Sequence, residues 1–162
     1  MLTIPKGLSQ IKKTYGDFTF TRLSGTNIDV DDSWEAANLV YVKNVGGTGC
    51  NIRLHRLVMP EFEGALAAAR MAAPKYKVRM LGGYVPRQMK TLDPKKQAAA
   101  PLSTHSWGCA FDINWDTNPF SKRLITDIPL EFVEAFRMYG WQWGGDWKNS
   151  KDPMHFQLAT GY

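Results

Sequence analysis

A chain of 162 residues fits one domain, and 44% hydrophobic against 22% charged residues excludes a disordered segment. The longest apolar stretch, around Ala65 to Ala73, is interrupted by Arg70 and falls short of the roughly 20 residues a membrane span requires, so membrane insertion is not expected. The formal charge of +5 favours anionic surroundings, but the basic residues are scattered, with Lys12-Lys13 and Lys95-Lys96 the densest groups, so nucleic-acid binding is not expected either.

Along the chain, residues 1–13 lack the apolar core of a secretory signal, so a substrate outside the cytoplasm implies another route of export. Asp17 to Leu23 and Ala37 to Val42 read as short strands among turn residues. The Gly46-Gly47-Thr48-Gly49 loop lacks the Lys-Ser/Thr pair that completes a phosphate-binding loop, and it reads as a turn. Pro60 to Ala73 reads as a helix with Phe62, Leu66, Ala69 and Met71 on the core, Pro60 sitting in the first turn where its missing N–H is no loss. Val78 to Tyr84 then reads as a strand ending at Gly82-Gly83, and Lys90 to Leu102 as a surface loop rich in Lys, Asp, Pro and Ala.

Cys109 to Asn114 has strand character, and alternation sends Ala110, Asp112 and Asn114 to one face with Cys109, Phe111 and Ile113 on the other. Pro129 to Tyr139 reads as a helix with Phe132, Val133 and Phe136 inward and Gly140 as its stop. His155 to Leu158 reads as a closing strand with His155 and Gln157 on one face. Cys50 and Cys109 have neither CxxC spacing nor the density of a disulfide scaffold, and both are expected to be free thiols.

Two of the three histidines stand in segments dense with Gly, Asp and Trp: Ser103 to Asp112, and Asp152 to Gln157. If His105 lies where a loop enters the strand that carries Asp112, and His155 approaches from another strand, two imidazoles and a carboxylate fill three positions of a tetrahedral zinc and leave the fourth open, the pattern of a catalytic site. Asp152, three residues before His155, is placed to move a proton without being a ligand. Arg87 is the candidate cation for a developing oxyanion. Each of these residues also has an ordinary structural reading: a packed histidine, a capping Asp, a solvated Arg. His55 reads as structural or as a support behind the site. Trp141, Trp143 and Trp147 read as core or as a substrate platform, and Asp146 as a carboxylate that orients a ligand. Cys109 is excluded as a ligand because alternation turns it away from Asp112.

These segments resemble the zinc D-Ala-D-Ala carboxypeptidase and L-alanyl-D-glutamate endopeptidase family, which includes VanY-like enzymes and phage endolysins. The family pattern S-x-H-x-x-G-x-A-x-D is met by Ser103, His105, Gly108, Ala110 and Asp112, and its later acid and His-Phe pair by Asp152, His155 and Phe156. An Asp as that acid, preceded by Trp143-Gly144-Gly145-Asp146-Trp147, is closer to the endopeptidase branch. The likeness runs from about Leu81 to Leu158, with Gln157 departing from a frequent acid.

The resemblance implies a small α+β domain with a central antiparallel sheet, residues 51–162 as catalytic core and residues 1–50 as a less certain N-terminal segment. It further implies Zn2+ on His105, Asp112 and His155, Asp152 as base, Arg87 as substrate or transition-state arginine, and Ser103, Trp143, Asp146 and Gln157 at or behind the substrate. The expected activity is cleavage of peptidoglycan stem peptides by a monomeric, bacteriolytic endopeptidase of phage origin, released by holin-type export or lysis. A D-Ala-D-Ala carboxypeptidase and a non-catalytic zinc-containing wall-binding protein are the alternatives.

Overall fold

The computed structural model describes residues 2–162; Met1, part of the N-terminal stretch read above, lies outside them. In chain order the elements are α1 (Gly7–Tyr15), β1 (Phe20–Arg22), β2 (Ile28–Val30), α2 (Asp32–Asn38), β3 (Leu39–Val42) and β4 (Ile52–His55). They continue with α3 (Met59–Ala72), β5 (Leu81–Gly82), α4 (Pro94–Gln97), β6 (Ala110–Ile113), α5 (Leu130–Met138), β7 (Gln142–Trp143) and β8 (His155–Gln157). The class is α+β, as expected. β1 pairs with β2 and β3 with β4, while the central sheet runs β5-β6-β8-β7 with every pairing antiparallel.

The core lies between this sheet and the α3–α5 pair. Phe62 of α3 meets Phe111 of β6 edge-on at 4.9 Å, Phe136 of α5 reaches Phe111 at 5.1 Å, and Phe111 stacks on Phe156 of β8 at 5.1 Å. All four rings are fully buried, and deleting one such ring typically costs about 3–5 kcal/mol. Alternation along β6 and β8 therefore fixes an apolar face toward the helices and leaves the other face to Asp112 and His155.

Several sequence expectations need correction. Met71 is 84% exposed. It lies nine residues beyond Phe62, which at about 100° per residue puts it on the opposite side of the helix. The strand expected over Val78 to Tyr84 shrinks to Leu81–Gly82 because the Asn114 carboxamide oxygen accepts the N–H groups of Arg79 and Met80 in place of a ladder partner. Asn114 itself leaves the β6 alternation, turning at φ 42. Ala37 and Asn38 close a helix before β3 begins, and the loop at 90–102 contains α4, which Asp93 caps. Among the described residues no helix is long and apolar enough to cross a membrane. Both cysteines are free, Cys109 buried and Cys50 partly so.

The N-terminal segment is built into the same core. Tyr15 donates its hydroxyl to the Leu158 carbonyl at 2.7 Å, and the Trp107 indole donates to the Gly16 carbonyl at 3.2 Å. His55 serves this structural joint: its Nε2–H donates to the Tyr15 carbonyl at 3.1 Å, and its Nδ1 accepts the Leu57 N–H at 3.1 Å. Both nitrogens are used by the neutral ring, and burial pushes the His55 pKa down to about 4. Between pH 6.5 and 4 the unfolded chain therefore binds the extra proton, so stability falls as pH drops through that window. His55→Gln is expected to flatten this part of the stability–pH curve in urea unfolding. An unchanged slope would show that His55 is not the titrating group.

Candidate metal centre

His105 lies in a short 3-10 turn, Thr104–Trp107, that leads into β6. The Ser103 hydroxyl oxygen caps that turn by accepting the His105 N–H at 3.4 Å. Gly108 ends it at φ 62, where a Cβ would stand 2.7 Å from the His55 nitrogen, so both backbone hand and space call for glycine. This corner aims His105 at the β6 face that carries Asp112. Across the sheet Asp112 stands directly opposite His155 of β8.

The three side chains meet. His105 Nε2 lies 3.1 Å from Asp112 Oδ1 and 3.1 Å from His155 Nδ1, and His155 Nδ1 lies 3.2 Å from Asp112 Oδ1. With metal–ligand bonds of about 2.0–2.1 Å, tetrahedral zinc holds its ligands roughly 3.3–3.4 Å apart, so this triangle is close to the right size. The donor chemistry agrees. His105 Nδ1 donates to the Gly83 carbonyl at 2.7 Å, and His155 Nε2 faces Gln157 Oε1 at 3.0 Å. With their protons engaged there, both rings turn a lone pair toward the carboxylate, and three lone pairs converge where only a cation satisfies them. Among the described residues His105, Asp112 and His155 are the cluster suited to a metal ion.

Electrostatics point the same way. Burial opposes the charge on Asp112, yet His105 and His155 outweigh it and hold the carboxyl well below the usual carboxylate range. Burial likewise opposes a charged His155, and Asp112 outweighs it and raises that pKa. Positive charge is thus stabilised at the middle of the triangle.

Above it opens a cavity of about 400 Å³, lined by Asp112 and His155 together with Arg87, Ser103, Trp147 and Asp152. Asp152 is set by Gly144, whose carbonyl accepts its N–H at 3.0 Å. A Cβ on Gly144 would stand 2.4 Å from the Asp152 carbonyl oxygen, so the glycine permits this close approach. Oδ1 of Asp152 is buried with no hydrogen-bond partner among the described residues. Burial, aided by the Asp112 charge, raises the Asp152 pKa against the pull of His155, His105 and Arg87. A carboxylate with a free buried oxygen and a raised pKa is suited to taking up a proton. Burial lowers the Arg87 pKa, and Asp112 and Asp152 oppose that shift. The arginine backbone is clamped by Ser106, whose Oγ accepts the Arg87 N–H at 3.0 Å and donates to its carbonyl at 2.9 Å.

One expected residue stands elsewhere. Asp146 is exposed and pairs with Arg137 at 2.6 Å, so the support behind His155 comes from Gln157 instead. Trp143 is buried and donates its indole N–H to the Pro153 carbonyl at 2.8 Å, bracing the Asp152–His155 turn from below. The tryptophan at the cavity is Trp147, 5.3 Å from the His155 ring. Thr104 and Tyr162, which also line it, had no sequence signal beyond the adjacency of Thr104 to His105.

Residues 96–158 match the peptidase M15 family model described as D-alanyl-D-alanine carboxypeptidase. Over this segment the chain is M15-like. The match spans His105, Asp112, Asp152 and His155 and supports the resemblance carried by their motifs; no solved structure matches the chain. An M15-like segment and a His-Asp-His cluster that fits a metal together suggest a metallopeptidase. Metal-free protein is expected to take up one zinc per chain in equilibrium dialysis, and His105→Ala to take up none. Equal uptake by both would place the metal elsewhere.

Proposed function

We propose that the protein is a zinc peptidase that cleaves peptidoglycan stem peptides, an L-alanyl-D-glutamate endopeptidase acting as a phage or prophage endolysin. The observation that carries this reading is the convergence of three possible ligand atoms at the floor of a cavity that also holds Asp152, whose buried Oδ1 has no hydrogen-bond partner among the described residues. His105, Asp112 and His155 would hold the metal, which when bound supplies Lewis-acid polarisation of a peptide carbonyl and makes water more acidic. Asp152 accepts a proton from the attacking water and returns it to the leaving nitrogen, so that a peptide bond and a water become a carboxyl and an amine. Its raised pKa suits both halves of that transfer. Arg87, on the cavity wall, offers positive charge to the oxygen that turns anionic as the carbonyl is attacked.

The endopeptidase reading rests on the Asp at position 152 and the Trp-Gly-Gly-Asp-Trp run before it. A D-Ala-D-Ala carboxypeptidase with the same site is the second reading, favoured by the description of the matching family model. A purely structural zinc fits less well, because such sites are normally closed by four protein ligands and here a cavity opens over three. The phage setting follows from family resemblance, and a monomer suffices because the proposed machinery lies within one chain.

Mass spectrometry of products from purified peptidoglycan separates the two enzymatic readings: new L-Ala carboxyl and D-Glu amino ends are expected, while release of D-Ala alone would favour the carboxypeptidase. Asp152→Ala is expected to lower cleavage by about 100- to 10,000-fold while zinc stays bound, whereas His155→Ala loses both. Loss of zinc from Asp152→Ala to the same degree as from His155→Ala would contradict this division of roles.

A further inference from the structure

The two imidazoles of the centre are braced by different means. Behind His105 stands a backbone carbonyl, that of Gly83, which no side-chain substitution removes. Behind His155 stands a side chain, and its orientation is fixed twice. Gln157 Nε2 donates to the Ala159 carbonyl at 3.1 Å, which turns Oε1 toward His155 at 3.0 Å, and the Thr104 hydroxyl donates to the same Oε1 at 3.1 Å. Gln157 is 4% exposed and Thr104 1%, so water does not readily replace either bond.

We infer that Gln157 is the positioning residue of His155: its side-chain oxygen, oriented by Ala159, holds the Nε2 proton so that Nδ1 faces the metal, and this sets the metal affinity of the centre. The inference rests on the metal-site reading. Without the acceptor, the buried Nε2–H keeps only the longer contact to the Thr104 hydroxyl at 3.5 Å, a weaker hold that leaves the ring freer to turn away from Asp112. Supports of this kind are typically worth about 10- to 100-fold in metal affinity. Because Gln157 is neutral, it orients the ring without adding negative charge behind it, and a carboxylate at the same place would both orient the ring and make it more electron-rich.

Zinc affinity, measured by competition against a fluorescent chelator, and melting temperature with and without zinc, compared for the parent, Gln157→Leu and Gln157→Glu, test this. Gln157→Leu is expected to bind zinc about 10- to 100-fold more weakly, with a smaller zinc-induced rise in melting temperature. Gln157→Glu, which keeps an acceptor, is expected to bind at least as tightly as the parent. A role in packing alone would weaken both variants in step with the melting temperatures of their metal-free forms. Gln157→Met serves the same comparison if the leucine variant does not fold. If the parent binds zinc and Gln157→Leu binds equally well, or if Gln157→Glu is as weak as Gln157→Leu, the role of Gln157 is overturned. A parent that binds no zinc would instead overturn the metal reading on which it rests.

Discussion

The centre depends on Asp112 standing directly opposite His155 across β6 and β8. In an antiparallel pair a slip of one residue sends every side chain to the other face, so the register that buries the rings also decides whether the donors meet. Phe111 and Phe156, each adjacent in sequence to a residue of the His-Asp-His cluster, stack at an interplanar angle of 4° on the core side. The aromatic cluster between sheet and helices thus sets the Asp112–His155 pair from behind, because moving either ring out of register would bury a carboxylate among phenylalanines.

His105 comes from outside the sheet, and the N-terminal half of the chain brings it in. The His55 N–H donates to the Gly108 carbonyl at 2.9 Å, tying β4 to the corner after His105, and the Tyr84 N–H donates to the Arg53 carbonyl at 2.7 Å just beyond the Gly83 brace. Arg87 is held by its bonds to Ser106 and by the Ser103 N–H, which donates to the Arg87 carbonyl at 2.9 Å. Residues before the family match are therefore structural parts of the centre, and Arg87 among them lines the cavity itself. The negative charge of Asp112 then has two effects: it favours a cation between the imidazoles, and it raises the pKa of Asp152 nearby.

The sequence made the site more legible than the scaffold. His105, Asp112, Asp152 and His155 sit in short motifs whose spacing follows from a turn entering a strand and a turn preceding one, and the resemblance of those motifs to a known family is what favours the metal reading over the ordinary structural one. The α3 and α5 helices were readable from apolar spacing, and Phe62, Leu66, Ala69, Phe132, Val133 and Phe136 are buried. The α1 helix was not, because only Ile11 and Tyr15 of its nine residues are buried and no side chain caps it. Asp146 was misread because the partner that claims it, Arg137, comes from tertiary packing. For the same reason nothing local showed that Gln157 turns its oxygen to His155, an orientation decided by the Ala159 carbonyl.

The most direct test of the centre is X-ray absorption at the zinc edge on protein loaded with one equivalent. Two imidazole nitrogens, a carboxylate oxygen and no sulfur are expected in the coordination sphere, since His105, Asp112 and His155 converge while Cys109 directs its thiol to the Thr104 carbonyl. A sulfur ligand, or a spectrum with no imidazole scattering, would contradict the assignment.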